Sequence, residues 1–443
     1  MTEAVSAAAF TPAPATPAPA MERPGRRIAL ALLIAVGTIN FIDRQILSVL
    51  VEPMRAELHF SDTQFGLLTG LSFALFYAAL GVPVAMLADR THRVRLVAAA
   101  CLLWSLFTGA CGFATSFWQL ALARFGVGVG EAGGTAPSLS ILADYFPPQR
   151  RAVVTGLFTA NGPLGVFLGA SLGGWAASRF GWRGAFIGIS ALGMITAPLL
   201  LLLVREPLRG AMEGRGTAAL APAPFVQTAR LFLSRPTLTL LLVASGLSAF
   251  VSYGMLNWIP AYLMRVQHMP LIAVAHWFGP AAGICMGLGI WGGGALVNAA
   301  EKISVRAYAL IPGLAMLVAA PSFALALFAG SWRSSLALML LPMICVTIYV
   351  APALALVQTL APVAGRATAT AILLLAFNII GLGGGPLAIG MISDALAHAH
   401  VAGGLQLALL YTAPTAVIAA CAYYALSRTI VADTEFMRLE PAR

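Results

Sequence analysis

The chain alternates long apolar runs with short polar breaks. Residues 28 to 40 are nearly all apolar, Asp43 and Arg44 follow side by side, and residues 46 to 51 are apolar again. About 20 apolar residues at 1.5 Å rise cross a ~30 Å hydrocarbon core, so such a run predicts a membrane-spanning helix. Twelve spans are predicted, approximately 28–53, 63–88, 95–115, 118–145, 152–178, 184–204, 237–264, 270–298, 305–328, 335–360, 368–394 and 404–427. Four connections are short (116–117, 179–183, 329–334 and 361–367), which makes successive helices antiparallel neighbours. The longest, 205–236, carries Gly210, Gly214, Gly216 and Ala221-Pro222-Ala223-Pro224. It reads as a flexible linker and divides the spans six and six. The expected organisation is a tail over 1–26, a six-helix bundle over 27–204, the linker over 205–236, a second six-helix bundle over 237–428 and a tail over 429–443. Residues 1–22 are rich in Ala, Pro and Thr and are expected to be disordered; they lack the pattern of a secretory signal.

Composition agrees. Of 443 residues, 60% are hydrophobic and 9% charged, with mean hydropathy +0.88. A soluble chain carries about 25% charged residues. The net charge of +10 raises nucleic acid as a partner, but the cations fall in short clusters between apolar runs. With the N-terminus inside, 19 of the 26 Lys and Arg lie in inner segments, five (Arg55, Arg179, Arg183, Arg265, Arg333) in outer ones, and Arg44 and Arg124 within the membrane. That asymmetry predicts both ends cytoplasmic. The five Cys sit in or beside apolar stretches without ligand spacing, and the His residues have no partner at such spacing, so no metal site is predicted. No phosphate-binding loop, nucleophile elbow or HExxH is present. ATP hydrolysis and other enzymatic chemistry, and any cofactor, are therefore not expected.

Two acids, Asp43 and Glu131, lie well inside apolar stretches. A charge at the centre of a spanning helix costs roughly 2.5–3.5 kcal/mol even on insertion scales, and such residues mark pathways and relays. Asp43 and Arg44 are neighbours, so they point ~100° apart and must meet different surroundings. Arg124 and Glu131 are seven residues apart on one face of span four, in a glycine-rich stretch that lets another backbone approach. From rise per residue, Arg124 lies ~9 Å, Asp43 ~15 Å and Glu131 ~20 Å from the outer end of its span, so the four charges can form one compensated cluster. A carboxyl that alternates between an Arg partner and water can load and release a proton, which is the functional reading; a static salt-bridge network joining two helices is the alternative.

At the inner loop between spans two and three, Asp89, Arg90 and Arg93 stand in Ala88-Asp89-Arg90-Thr91-His92-Arg93. Positive-inside anchoring accounts for the arginines but not for an acid at a helix end, which can bond a neighbouring helix N-terminus and lock that face. Tyr253, Asn257 and Trp258, in a stretch of span seven that Gly254 and Pro260 are expected to break, place polar groups mid-membrane; Asn40, Asn161 and Asn378 do likewise. These six are candidate substrate-cavity residues, or else interhelical hydrogen-bond glue. A faint repeat supports duplication: Arg151-Ala152-Val153-Val154-Thr155 opens span five and Arg366-Ala367-Thr368-Ala369-Thr370 opens span eleven.

These residues resemble the major facilitator superfamily. More narrowly, Asp43-Arg44-Gln45-Ile46-Leu47-Ser48, Ser61-Asp62-Thr63-Gln64-Phe65-Gly66-Leu67-Leu68, Gly128-Val129-Gly130-Glu131-Ala132, Tyr253-Gly254-Met255-Leu256-Asn257-Trp258 and Gly384-Gly385-Pro386-Leu387 resemble its Spinster branch, bacterial members included. The resemblance runs from about 27 to 428. It implies an all-α membrane protein of twelve helices in two pseudo-symmetric six-helix bundles, alternating access, proton-driven transport and an inner-membrane location. It further implies Asp43 and Glu131 as the protonation-linked acids with Arg44 and Arg124 as partners, and Asp89, Arg90 and Arg93 as the inner-gate signature. Ala85 and His92 stand where that signature usually has Gly, and Asn298 replaces the equivalent acid of the second half, so a weaker second-half gate is expected. The expected cargo is an amphipathic anion such as a lysolipid or a drug-like compound, moved outward, by a monomer. Symport of a small organic anion is an alternative, and a receptor-like sensor a remote one.

Overall fold

The computed structural model describes residues 23–71, 74–75, 80, 83–84, 86–88, 90–209, 212, 225–361 and 365–439. Every element among the described residues is helical. The first half comprises α1 (Arg23–Val49), α2 (Val51–Leu58), α3 (Asp62–Gly66, continuing as a π turn Leu67–Leu71), α4 (Arg93–Cys111), α5 (Phe117–Glu131), α6 (Thr135–Tyr145), α7 (Pro148–Thr159) and α8 (Asn161–Leu203). A short helix α9 (Phe225–Ser234) then leads into α10 (Pro236–Arg265). A turn at Leu271–Ala273 and a π turn Val274–Phe278 precede α11 (Gly279–Ala300). There follow α12 (Ala307–Leu327), α13 (Trp332–Cys345), α14 (Val350–Leu360), α15 (Arg366–Ala376), a π turn Phe377–Gly384, α16 (Gly385–His398), α17 (Gly404–Leu410) and α18 (Thr412–Leu439).

Nine helical stretches among the described residues are long and apolar enough to cross a membrane. One of them, Pro148–Leu203, is two spans folded at Gly181, where φ is +71°. Only a residue without a Cβ adopts that angle cheaply, so one glycine does the work expected of a five-residue loop. Span four, α5 and α6 with a turn at 132–134 between them, is not among the nine because Arg124, Glu131 and its many glycines lower its hydropathy, and span two is not because much of it lies outside the described residues. With the fold at Gly181 and with span four, eleven of the predicted twelve spans lie among the described residues, and span two is described only in part.

Proline decides where several spans break. Its ring clashes with the carbonyl four residues earlier and it donates no amide hydrogen. Pro53 thus ends α1 at Val49, Pro137 opens the gap at 132–134, Pro163 separates α7 from α8 at Ala160, and Pro352 separates α13 from α14. Pro280 and Pro386 each lie just past a π turn that takes up the clash. The expected break in span seven does not occur: α10 runs unbroken from Pro236 to Arg265 with Pro260 inside it. The linker is also more ordered than expected, because Glu206 and Arg209 bond back onto the first half and α9 is helical; positions 210, 211 and 213–224 lie outside the described residues. The expected disordered tail, residues 1–22, lies outside them too, and the C-terminal segment continues α18 to Leu439.

Helices α1 and α4 pack chiefly on α8, while α12 and α10 pack on α18. The two groups meet along two seams, α8 against α11 and α3 against α16. Both seams lie toward the face opposite the chain ends. Toward the other face, α7 packs on its own half and α15 on its own half, and Val153 and Leu157 of α7 are exposed. The two halves therefore meet on the face opposite the chain ends, while α7 and α15 keep to their own halves toward the face of the chain ends.

Candidate functional site

Helix α1 carries Asn40, Asp43, Arg44 and Ser48 into the first half, and α5 carries Arg124 and Glu131. Close packing on both sides holds α1 and α5 in place. At Gly165 of α8 a Cβ would fall 2.2 Å from Phe41 Cβ of α1, and at Gly130 of α5 it would fall 2.8 Å from the Trp104 backbone of α4. Any side chain at either position would push the charged helices apart.

The four intramembrane charges do meet, but with a pairing that adjacency along α1 does not reveal. Arg44 Nε donates to Glu131 Oε2 (2.8 Å), with its guanidinium 5.4 Å from the Phe41 ring centroid. Arg124 Nη1 donates to the backbone carbonyl of Asp43 (3.1 Å), not to its carboxyl group. Asp43 is 1% exposed, and neither of its carboxyl oxygens accepts a hydrogen bond. Glu131 is fully buried, with Oε1 likewise unbonded, and Asn40 lies beside it. Arg44 is the most open of the cluster, with 19% of its side chain exposed.

The candidate cavity residues divide. Asn257 accepts from Ser48 Oγ (2.8 Å), a bond between the two halves, while its Nδ2 donates to Tyr253 O (2.9 Å). Trp258 is fully buried; its Nε1 donates to Pro386 O (2.9 Å) and its ring meets Phe65 edge-on at 4.9 Å. In this conformation both residues serve the seam between the halves. Asn161 packs against Gly37 of α1, and Tyr253 against Gly381. Asn378 is partly exposed within the π turn of span eleven and donates to Leu374 O (2.8 Å). The wide turn leaves room to turn such a group off the helix axis.

At the loop between spans two and three Asp89 lies outside the described residues and Arg90 is exposed. Arg93 is buried, and it ties the first half to the start of the linker. It bonds Glu206 (Nε to Oε1, 2.7 Å), Asp144, Ser140 Oγ (3.0 Å) and Pro207 O (3.0 Å). Glu206 also accepts from the Val94 amide (2.8 Å). Sequence reasoning missed Asp144 and Glu206, because acids at span ends look like ordinary interface charges; the only signal was their position on the same side as the Arg93 loop.

The family model of the Major Facilitator Superfamily matches residues 33–299. An MFS-type efflux pump of Mycolicibacterium smegmatis is 34% identical over 405 residues, covering 90% of this chain and 92% of that protein. The chain belongs to the major facilitator superfamily. Its fold matches the crystal structure of a bacterial homologue of the human lysosomal transporter Spinster in an inward-facing, unoccupied conformation, with TM-score 0.86 and 30% identity over 95% of this chain and all of that one. The sphingosine-1-phosphate transporter SPNS2 of Danio rerio is 26% identical over 408 residues, 85% of this chain and 80% of that protein. This is a multi-pass, Spinster-like membrane transporter, not an enzyme.

Proposed function

We propose that the protein is a proton-coupled secondary transporter that exports an amphipathic anion, a lysolipid or drug-like compound, by alternating access of two halves, 27–204 and 237–428. The observation that carries the coupling is Asp43, buried with both carboxyl oxygens unbonded beside the Arg44–Glu131 pair. An ionised carboxylate buried without donors is costly, and protonation removes the charge. When the proton leaves, two unused donors stand beside the carboxylate: Thr108 Oγ1 and Arg124 Nε, the latter on the guanidinium already bonded to the Asp43 carbonyl. Swinging that group from carbonyl to carboxylate would move α5 against α1, converting a proton transfer into a helix displacement. Glu131 and Arg44 act as the second half of the switch. Arg44, with 19% of its side chain exposed among apolar helices, suits a cargo with one anionic end, and the relatedness to an efflux pump and to a sphingosine-1-phosphate transporter supports that class.

The clusters of Arg on the side of the chain ends favour an inner-membrane orientation with both termini cytoplasmic. On that reading the conformation described here is open to the cytoplasm. The test is a proton-flux screen in proteoliposomes against lysolipids, organic acids and cationic drugs. Flux with a lysolipid or a drug-like anion is the expected result. Flux with organic acids alone would replace the cargo class, and cargo accumulation without proton movement would remove the coupling.

A further inference from the structure

On the face opposite the chain ends, each half holds a carboxylate whose donors come from the other half. Arg265, the last residue of α10, donates through Nη1 to Asp62 Oδ2 (2.7 Å) and through Nη2 to Asp62 Oδ1 (3.0 Å). Its Nε and Nη2 also reach Glu52 Oε1 (3.1 and 2.7 Å). Ser393 Oγ donates to Asp62 Oδ2 (2.7 Å). In the opposite direction, Asp394 accepts the amide hydrogens of Asp62 (3.1 Å) and Thr63 (2.8 Å). The backbones touch where these bonds form: a Cβ at Gly390 would lie 2.3 Å from Asp62 O.

Asp62 has one partner from its own half, Arg55 Nη1 at 2.8 Å. If the halves part, Arg55 stays with Asp62, while Arg265 and Asp394 exchange their partners for water. Asp62 is therefore never left unpaired, which is the condition for a bond network that opens and recloses. A different ion pair on the same face, Glu57 with Arg183 and Trp182, lies wholly within the first half.

We propose that Asp62, Arg265, Glu52 and Asp394 form a reciprocal latch that holds the outer face closed at rest, and that breaking it is the step gating access to that face. The latch rests on the alternating-access reading for its purpose, but it concerns a conformational equilibrium that exists without cargo or proton gradient.

The test is a distance measurement in lipid nanodiscs. Four of the five native Cys are buried, so Cys421→Ala leaves a background for labelling. Spin labels at Ala56→Cys and His268→Cys, both exposed and on opposite halves, report the outer separation by pulsed electron resonance. The unaltered latch should give one short distance. Asp394→Asn and Arg265→Gln should each add a longer one, raising the open-to-closed ratio about tenfold or more, as expected for loss of a charge-assisted hydrogen bond. Glu57→Gln should leave the distribution unchanged. Because Arg265 and Glu52 are about one quarter exposed, raising salt to about 1 M should shift the intact protein in the same direction, independently of whether a variant folds. A distribution that moves under neither the substitutions nor salt, or that moves equally with Glu57→Gln, overturns the latch. Loss of proton coupling in the proteoliposome assay leaves this measurement untouched, so the two readings fail separately.

Discussion

Replacing the two intramembrane acids by their amides should have opposite consequences for stability and for transport. Glu131→Gln removes the charge from an acceptor 2.8 Å from Arg44 Nε in a fully buried position. Hydrogen bonds to charged groups contribute about 1.5–3 kcal/mol, so a loss in that range is expected. Asp43→Asn removes no hydrogen bond, since neither carboxyl oxygen has one, and it preserves shape. Its cost should stay within about 1 kcal/mol, because the neutral amide carries less desolvation penalty than an unpaired carboxylate. Denaturant unfolding of the purified proteins gives the stabilities, and reconstitution gives transport under an imposed pH gradient alongside counterflow exchange. Asp43→Asn should unfold with the parent, lose gradient-driven transport and keep part of its exchange; Glu131→Gln should be less stable and shift the pH dependence. Equal destabilisation by the two would mean that the Asp43 carboxyl has partners, and the reasoning from its unbonded oxygens would fail. Unchanged gradient-driven transport by Asp43→Asn at all pH values would remove it from the coupling.

Two further outcomes are expected. Gly390→Ala places a methyl group 2.3 Å from Asp62 O and should cost about 1–3 kcal/mol through overpacking of α16 on α3, whereas Gly156→Ala, which meets nothing within 4 Å, should be neutral or stabilising; thermal unfolding compares them. Hydrogen bonds from Arg183 and Trp182 hold the Glu57 carboxyl below its ordinary value of 4.5, so this contact stabilises the fold above that value and is lost as pH falls below it. The stability difference between the parent and Glu57→Gln should accordingly be constant from pH 8 to about 5 and shrink below 4.5; a difference that instead grows on acidification would contradict the assignment.

Hydrophobicity is a local property, and the features that depend on it were legible in the chain itself. Membrane spans need only about 20 apolar residues in succession, and the two acids deep inside them stand out because a buried charge is costly wherever the helix ends up. Family membership was also readable, from short stretches around Asp43 and Glu131. Partner choice was not. Arg44 sits next to Asp43 in sequence yet bonds Glu131, 87 residues away, because neighbours on a helix diverge and only the packing of α5 on α4 decides which carboxyl faces α1. Asp144 and Glu206 became partners of Arg93 only once spans three, four and six were brought together. Ser48 and Asn257, and Arg265 and Asp62, likewise met only through the docking of one half on the other. Composition along the chain determined which groups had to find partners; the inter-helix register, set by glycine contacts and proline breaks distant in sequence, determined which partners they found.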